Sequence, residues 1–178
     1  TQEGLNMFDG YDISHFKHQI KQKNTLVSSY ALKLYEDKNN ILWVATRNGG
    51  LNYKMPLSNN FYKTKQEYLN SNIVITDIVE DSNGYLWISS EKSGLFRYHH
   101  SSDSLVKYSF ENGLVSNKIS NLCLFEDNLF VAYAEGGIST ISISNKIKIN
   151  KNPYGERVNS YTVNDFYNYN DSLLYLAT

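Results

Sequence analysis

The chain repeats itself with a period of about 44 residues, and no other feature constrains its fold as strongly. Trp43 and Trp87 lie 44 residues apart in similar apolar segments, and the aromatic position continues at Phe130 and Tyr175 after 43 and 45 residues. A period of this size predicts an array of similar units. Each unit then buries its apolar face against its neighbours.

Two further landmarks accompany the aromatic residue, always in the same order. An acidic pair precedes it, at Glu36-Asp37, Glu80-Asp81 and Glu126-Asp127. A glycine and an apolar residue follow it, at Gly50-Leu51, Gly94-Leu95 and Gly137-Ile138, and Gly4-Leu5 provides an earlier copy. The three landmarks divide the chain into four periods, approximately residues 1–46, 47–90, 91–133 and 134–178.

Each period contains signals for four short strands. An apolar first strand ends in a turn rich in Asp, Asn and Gly, the second strand carries the aromatic residue, and a glycine turn leads into the third. The fourth strand is more polar and more variable. No stretch shows a sustained helical period. We therefore predict an all-β fold of β-propeller blades, each with four antiparallel strands, in about four repeats over residues 1–178.

The repeated residues also predict roles within a blade. We expect Trp43, Trp87, Phe130 and Tyr175 to occupy equivalent buried positions on the second strand, where they pack between neighbouring blades. The acidic residues of the turns recur in every blade, and recurrence favours a turn-forming role over a catalytic one. They are Asp37, Asp81 and Asp127.

Composition and motifs argue against several classes of function. The chain has 17 basic and 18 acidic residues, so it lacks the basic excess typical of nucleic-acid binding. One cysteine and two isolated histidine pairs do not form a metal-ligand pattern, so we expect neither a metal nor a cofactor. No P-loop, dinucleotide fingerprint or nucleophile elbow is present. No apolar run is long enough to span a bilayer, so we expect membrane association only through segments outside this sequence.

Several segments resemble the two-component regulator propeller repeat. The strongest likeness is the Glu-Asp-x-x-Gly-x-Leu-Trp-Ile segment at Glu80–Ile88, followed by Gly94–Tyr98. Other segments that resemble this family are Glu36–Trp43, Thr46–Tyr53, Asn112–Ile119 and Gly4–Gly10. The resemblance weakens in the third and fourth repeats, where Phe and Tyr replace the tryptophan.

The resemblance implies a role in sensing. Repeats of this family typically form the extracytoplasmic sensor of bacterial hybrid two-component systems, often as two seven-bladed propellers in tandem. Such sensors detect carbohydrate breakdown products and signal as dimers, through a membrane helix, to a histidine kinase. We therefore expect a non-catalytic, periplasmic part of a larger seven-bladed propeller in an inner-membrane receptor. Its expected partners are an oligosaccharide, the other blades of the parent chain and a second copy of the receptor.

Candidate ligand-binding residues lie in two sets of loops. In a propeller, the loops that join strands two and three share a face with the loops that lead into strand one. Their side chains differ from blade to blade while the strands keep their pattern, which is typical of recognition loops on a rigid scaffold. Basic side chains there can bind sulfate or carboxylate groups, and amides can bind hydroxyls. The candidates are Arg47, Asn48, Glu91, Lys92 and Glu135 in the first set, and Asn72 and Asn117 in the second.

Two other function classes remain open at this point, because a propeller fold hosts many functions. The first is a propeller enzyme domain, such as a polysaccharide lyase or a glycosidase, which needs non-repeating catalytic side chains clustered at one mouth. The second is a protein-interaction scaffold, although the Gly-His and Trp-Asp signatures of WD repeats are missing.

Overall fold

A computed structural model of the chain describes residues 3–70, 72–144, 147–151, 153, 161–169 and 173–178. Within these residues, sixteen β-strands accompany one short α-helix and one 3-10 turn. The all-β prediction is confirmed. The chain divides into two compact units, Thr1–Ile75 and Thr76–Thr178.

The first unit contains a hairpin and one complete four-stranded sheet. The hairpin pairs β1 (Leu5–Phe8) with β2 (Ile13–Phe16). The sheet has the strand order β3-β4-β5-β6, and all its pairs are antiparallel. Its strands are β3 (Ala31–Glu36), β4 (Leu42–Thr46), β5 (Gly50–Lys54) and β6 (Tyr62–Lys63), and helix α1 (Glu67–Asn70) follows.

The second unit contains two four-stranded sheets and a hairpin. One sheet consists of β7 (Ile75–Glu80, whose first residue closes the first unit), β8 (Leu86–Ser90), β9 (Leu95–His99) and β10 (Ser104–Tyr108). After the 3-10 turn Phe110–Asn112, the next sheet consists of β11 (Ile119–Phe125), β12 (Asn128–Tyr133), β13 (Ile138–Ser142) and β14 (Lys148–Asn150). The hairpin is β15 (Asp165–Tyr169) with β16 (Leu173–Ala177). These meanders are the blades that the repeat predicts.

The turn between the first two strands of a blade is organised by its aspartate. In the first sheet, Oδ1 of Asp37 accepts hydrogen bonds from the backbone N–H groups of Asn39 and Ile41, at 2.9 and 3.0 Å. Its other oxygen, Oδ2, accepts a hydrogen bond from the indole Nε1–H of Trp43 at 2.9 Å. One carboxylate therefore closes the turn and satisfies the buried indole.

The second sheet repeats this arrangement atom for atom. Oδ1 of Asp81 accepts from the backbone of Asn83 and Tyr85, both at 3.0 Å, and Oδ2 accepts from Nε1 of Trp87 at 2.9 Å. The predicted turn-forming role of the repeated aspartate is correct in both blades. The indole contact is an additional role that the sequence reading missed.

The third blade has lost this contact together with its tryptophan. Its turn between β11 and β12 has shortened to Glu126 and Asp127, and Glu126 has a φ of 51°. The side chain of Phe130 has no N–H group that could donate a hydrogen bond to an aspartate. In the part of the chain that the structure describes, the exposed side chain of Asp127 makes no hydrogen bond. Asp127 keeps the repeat position, but among the described residues its side chain bonds neither the turn nor the aromatic residue, so the predicted turn-forming role is wrong for Asp127.

The predicted burial of the aromatic position is confirmed for three residues and wrong for Tyr175. Trp43 and Trp87 are fully buried and Phe130 is 6% exposed, whereas Tyr175 is 56% exposed. Adjacent residues of a strand point to opposite faces of the sheet. Leu174 faces the cluster around Phe130, so Tyr175 faces the other way. No other sheet covers that face within the described residues.

Within the second unit, the sheets pack face to face. Trp87 and Leu95 of one sheet share a core cluster with Leu129 and Val131 of the next, and all four side chains are fully buried. The β15–β16 hairpin packs its Phe166 and Leu174 against the following cluster. Neighbouring blades therefore bury their apolar faces against each other, as the repeat predicts.

Candidate functional site

The turns between strands two and three meet the loops that lead into strand one. In the first unit, the backbone N–H of Gly4 donates to the carbonyl oxygen of Ser29 at 2.8 Å. In the second unit, Gly94 donates to Asn117 at 3.0 Å, and Gly137 donates to Tyr161 at 3.2 Å. The two sets of loops therefore lie at the same end of the blades within each unit. This is the arrangement on which the choice of candidate residues depends.

In the first unit, Arg47 and Asn48 lie exposed in the turn between β4 and β5. The backbone N–H of Arg47 donates to Tyr30 at 2.9 Å, and its guanidinium lies 5.2 Å from the centre of the Tyr30 ring, in cation–π distance. Asn48 has a φ of 59°, which Asn tolerates better than most residues. The guanidinium of Arg47 thus lies over the ring of Tyr30, beside the exposed side chain of Asn48.

The buried side chain of Asn52 stabilises the turn that carries Arg47 through hydrogen bonds. Its amide donates to Oγ1 of Thr46 at 3.1 Å, and its oxygen accepts from the backbone N–H of Val27 at 3.1 Å. Asn72 is exposed beyond helix α1. Within the described residues, no hydrogen bond joins its side chain to Arg47 or Asn48.

In the second unit, Glu91 and Lys92 are exposed in the turn between β8 and β9. The hydroxyl of Ser90 closes this turn, because it donates to the carbonyl of Gly94 at 2.9 Å and accepts from the backbone N–H of Ser93 at 2.8 Å. The neighbouring Asn117 uses Oδ1 to accept from the backbone of Phe110 at 2.8 Å. Asn117 is partly buried, and its side-chain oxygen anchors the loop.

Glu135, in the turn between β12 and β13, forms an ion pair with Lys118. The ammonium and carboxylate are 2.5 Å apart, and both side chains are at least half exposed. The hydrogen bond that Lys118 donates to Glu135 raises the pKa of the Lys118 ammonium, and the carboxylate charge acts in the same direction. Lys118 therefore stays protonated, and an anionic ligand at this position has to compete with Glu135 for it.

Three side chains at these loops escaped the sequence reading: Tyr30, Lys118 and Tyr161. All three lie in loops that lead into strand one, where the reading selected amides. Tyr161 is 57% exposed, and its carbonyl accepts from the turn that follows Glu135. A signal was present, since Lys118 directly follows Asn117, and Tyr30 directly precedes strand β3. The loops therefore combine cations, amides and aromatic rings.

The loops thus offer the groups that bind polar ligands. Among the described residues, no group of three or more His, Cys, Asp or Glu is arranged to hold a metal ion. The described part of the chain also has no helix with the length and apolar character needed to cross a membrane. The repeated carboxylates at Asp37 and Asp81 are buried in turns, where they bond the backbone and an indole.

The family described as two-component regulator propeller matches residues 25–48 and 68–92. These segments contain the first and second repeats, where the resemblance is strongest. The resemblance to this family that the sequence showed is confirmed in these two repeats. No curated protein sequence matches the chain.

Solved structures similar to the chain include two extracellular domains from B. thetaiotaomicron. One belongs to a protein described as a hybrid two-component system, with 19% identity and a TM-score of 0.77 over 99% of this chain and 25% of that one. The other belongs to a protein described as a one-component system, with 24% identity and a TM-score of 0.79 over 99% of this chain and 26% of that one. The chain spans about a quarter of the length of each.

A lyase also shares the fold. The structure of a catalytically inactive virginiamycin B lyase from Staphylococcus aureus with quinupristin matches at 16% identity and a TM-score of 0.64, over 94% of this chain and 53% of that one. At this level of identity, the structural similarities show the fold alone. The chain is thus a set of propeller blades, and its first and second repeats match the two-component regulator propeller family.

Proposed function

We propose that this chain is a ligand-sensing propeller segment of an extracytoplasmic two-component receptor, and that its ligand is a carbohydrate. The family match over the first and second repeats carries this proposal. The similarity to the extracellular domains of two signalling proteins supports it at the level of the fold. The segment itself binds, and any kinase output lies elsewhere in the receptor.

The chemistry of the loops fits a carbohydrate. Sugar hydroxyls take hydrogen bonds from amides, and aromatic rings contact the apolar faces of sugar rings. The first unit presents Arg47, Tyr30 and Asn48 together, and the second presents Lys92, Lys118 and Tyr161 on its loops. The cations suit a ligand that carries carboxylate or sulfate groups.

We also propose a location and partners for the chain. A receptor that detects an external sugar exposes its sensor outside the cytoplasm, so we place this segment in the periplasm, within an inner-membrane receptor. Its partners there are the oligosaccharide, the remaining blades of the parent chain and a second receptor in a homodimer. Signal transfer to a histidine kinase follows from this placement.

A binding role also agrees with how the carboxylates are used. A glycosidase needs two carboxyl groups that face a substrate at a fixed separation. The aspartates at the repeat position do not meet this need, because Asp37 and Asp81 are buried against Trp43 and Trp87. At the loops, Glu135 is paired with Lys118. These observations support binding over hydrolysis.

The experiment is a calorimetric titration of the receptor that contains this chain with a panel of neutral and acidic oligosaccharides. We expect one class to bind, and we expect Arg47→Gln with Lys92→Gln to weaken it by about tenfold or more, as for the loss of charge-assisted contacts. Each single variant shows which unit contributes. Lys148→Gln with Lys151→Gln is the charge-matched control, since both lysines are exposed on or beside β14. Unchanged affinity in the Arg47 and Lys92 double variant contradicts the assignment to these loops.

A further inference from the structure

A groove of about 530 Å³ lies in the first unit, between the loop at residues 22–27 and the edge strand β6. Neither Arg47 nor Asn48 lines it. The loop is held firmly to the sheet: the backbone N–H of Phe61 donates to Asn24 at 2.8 Å, and the side chain of Leu26 is fully buried. The groove is therefore a formed part of the blade.

Two partly exposed tyrosines line this groove, together with the buried Phe61. Tyr53 of β5 and Tyr62 of β6 are cross-strand partners, with ring centres 5.6 Å apart, and both are half-buried. Tyr53 packs in turn on the buried Trp43, with ring centres 5.3 Å apart. This row of rings offers a rigid apolar surface that retains polar hydroxyl groups.

Three lysines surround the tyrosines. Lys23, Lys63 and Lys65 all line the groove and are exposed, and none of the described residues that line it is a carboxylate. In the described part of the chain, none of the three ammonium groups takes part in an ion pair. Clustered cations without neutralising carboxylates attract an anion, and they gain charge-assisted hydrogen bonds when it binds.

Neutral polar groups complete the lining. Nδ1–H of His18 donates to the carbonyl of Leu26 at 2.8 Å, which leaves Nε2 as the free ring nitrogen. The amides of Gln22 and Asn24 also line the groove and are exposed. Aromatic rings, amides and cations together match a ligand with an apolar ring face, hydroxyls and negative charge.

We propose that this groove binds an acidic saccharide of about two sugar units, which rests on the tyrosines and directs its carboxylate or sulfate groups to the lysines. The volume lies within the range of small-molecule sites, which favours a short saccharide over a polymer. The chain has a formal charge of −1, so it lacks the positive field that favours nucleic acid. The proposal rests on the proposed carbohydrate sensing and adds a second site, distinct from the loops.

The test uses the 178-residue chain and two disaccharides of matched size, digalacturonic acid and galactobiose, with binding followed by tryptophan fluorescence and calorimetry. We expect digalacturonic acid to bind more tightly than galactobiose. We expect Lys63→Gln with Lys65→Gln to weaken it by about tenfold or more. Lys148→Gln with Lys151→Gln removes the same charge elsewhere and leaves the affinity unchanged. Tyr62→Phe retains binding, whereas Tyr62→Ala loses it.

The outcomes separate this proposal from the proposed function. If digalacturonic acid binds and only the Arg47 and Lys92 variant weakens it, the groove proposal is overturned and sensing at the loops stands. If galactobiose binds equally well, or a short single-stranded oligonucleotide competes more strongly than digalacturonic acid, the acidic-saccharide assignment is wrong. If only the Lys63 and Lys65 variant weakens binding, the groove is the site.

Discussion

Replacing Asp81 by alanine is the sharpest test of how a blade is held together. The carboxylate is 2% exposed and accepts three hydrogen bonds, from the backbone of Asn83 and Tyr85 and from the indole of Trp87. It also lies 3.5 Å from the guanidinium of Arg97. Alanine removes every acceptor at once and leaves a buried indole N–H without a partner.

The expected loss follows from these contacts. A buried donor without a partner costs roughly 1–3 kcal/mol, and each of the two hydrogen bonds within the turn contributes about 1 kcal/mol. We therefore expect Asp81→Ala to lower the free energy of unfolding by roughly 3–5 kcal/mol. Asp81→Asn keeps one acceptor oxygen, which can serve either the turn or the indole, so its loss is expected to be about half as large.

The assay is equilibrium urea unfolding followed by tryptophan fluorescence, and the chain provides its own control. Asp127 occupies the same repeat position, but it is exposed, and within the described residues its side chain has no hydrogen bond. We expect Asp127→Ala to change stability by less than about 0.5 kcal/mol. Equal effects of the two variants, or a loss below about 1 kcal/mol for Asp81→Ala, would contradict a stabilising role of the Asp81 contacts.

Three more predictions follow from burial, acidity and backbone geometry. Trp87→Ala removes a fully buried side chain and is expected to cost about 3–5 kcal/mol, against less than about 1 kcal/mol for Tyr175→Ala, by the same urea assay. Burial raises the pKa of the Cys123 thiol from 9.0 to about 11, which lowers the fraction of reactive thiolate. Below pH 9, the folded chain is therefore expected to react with a disulfide reagent about 100-fold more slowly than the urea-unfolded chain. Equal rates would contradict this. Gly94 has a φ of +86°, and an added Cβ meets a backbone carbonyl oxygen of β10 at 2.3 Å, whereas Gly10 has a φ of +102° and open space around it. Gly94→Ala is therefore expected to lower the melting temperature well beyond Gly10→Ala, and similar shifts would count against this geometry.

The strand pattern was predictable because the same turn residues and apolar segments recur in successive repeats. The period placed the second strand at Trp43 and Trp87, and the structure places β4 and β8 there. The burial of Tyr175 was predicted wrongly, because the repeat position specifies a face of the sheet and not the neighbour that covers it. The sequence repeat predicts which face of the sheet a side chain occupies, whereas its burial depends on a neighbouring sheet that covers this face.

The loop face was predictable only in part. Fold geometry predicted that the two sets of loops share one end of the blades, and the hydrogen bond from Gly94 to Asn117 joins the two sets. Sequence did not reveal that Glu135 pairs with Lys118, because that contact joins loops 17 residues apart. The groove beside Tyr62 was missed for the same reason: Lys23 and Lys63 are distant in sequence, and only the fold brings them to one surface.

One measurement tests the central claim, that the chain binds a carbohydrate and does not transform it. Saturation-transfer difference NMR on the 178-residue chain, with digalacturonic acid and a panel of other oligosaccharides, reports binding and product formation in the same sample. We expect that saturation reaches at least one sugar and that the spectrum of this sugar stays unchanged during prolonged incubation. The appearance of unsaturated or shortened sugars, or the absence of saturation transfer to every member of the panel, would contradict it.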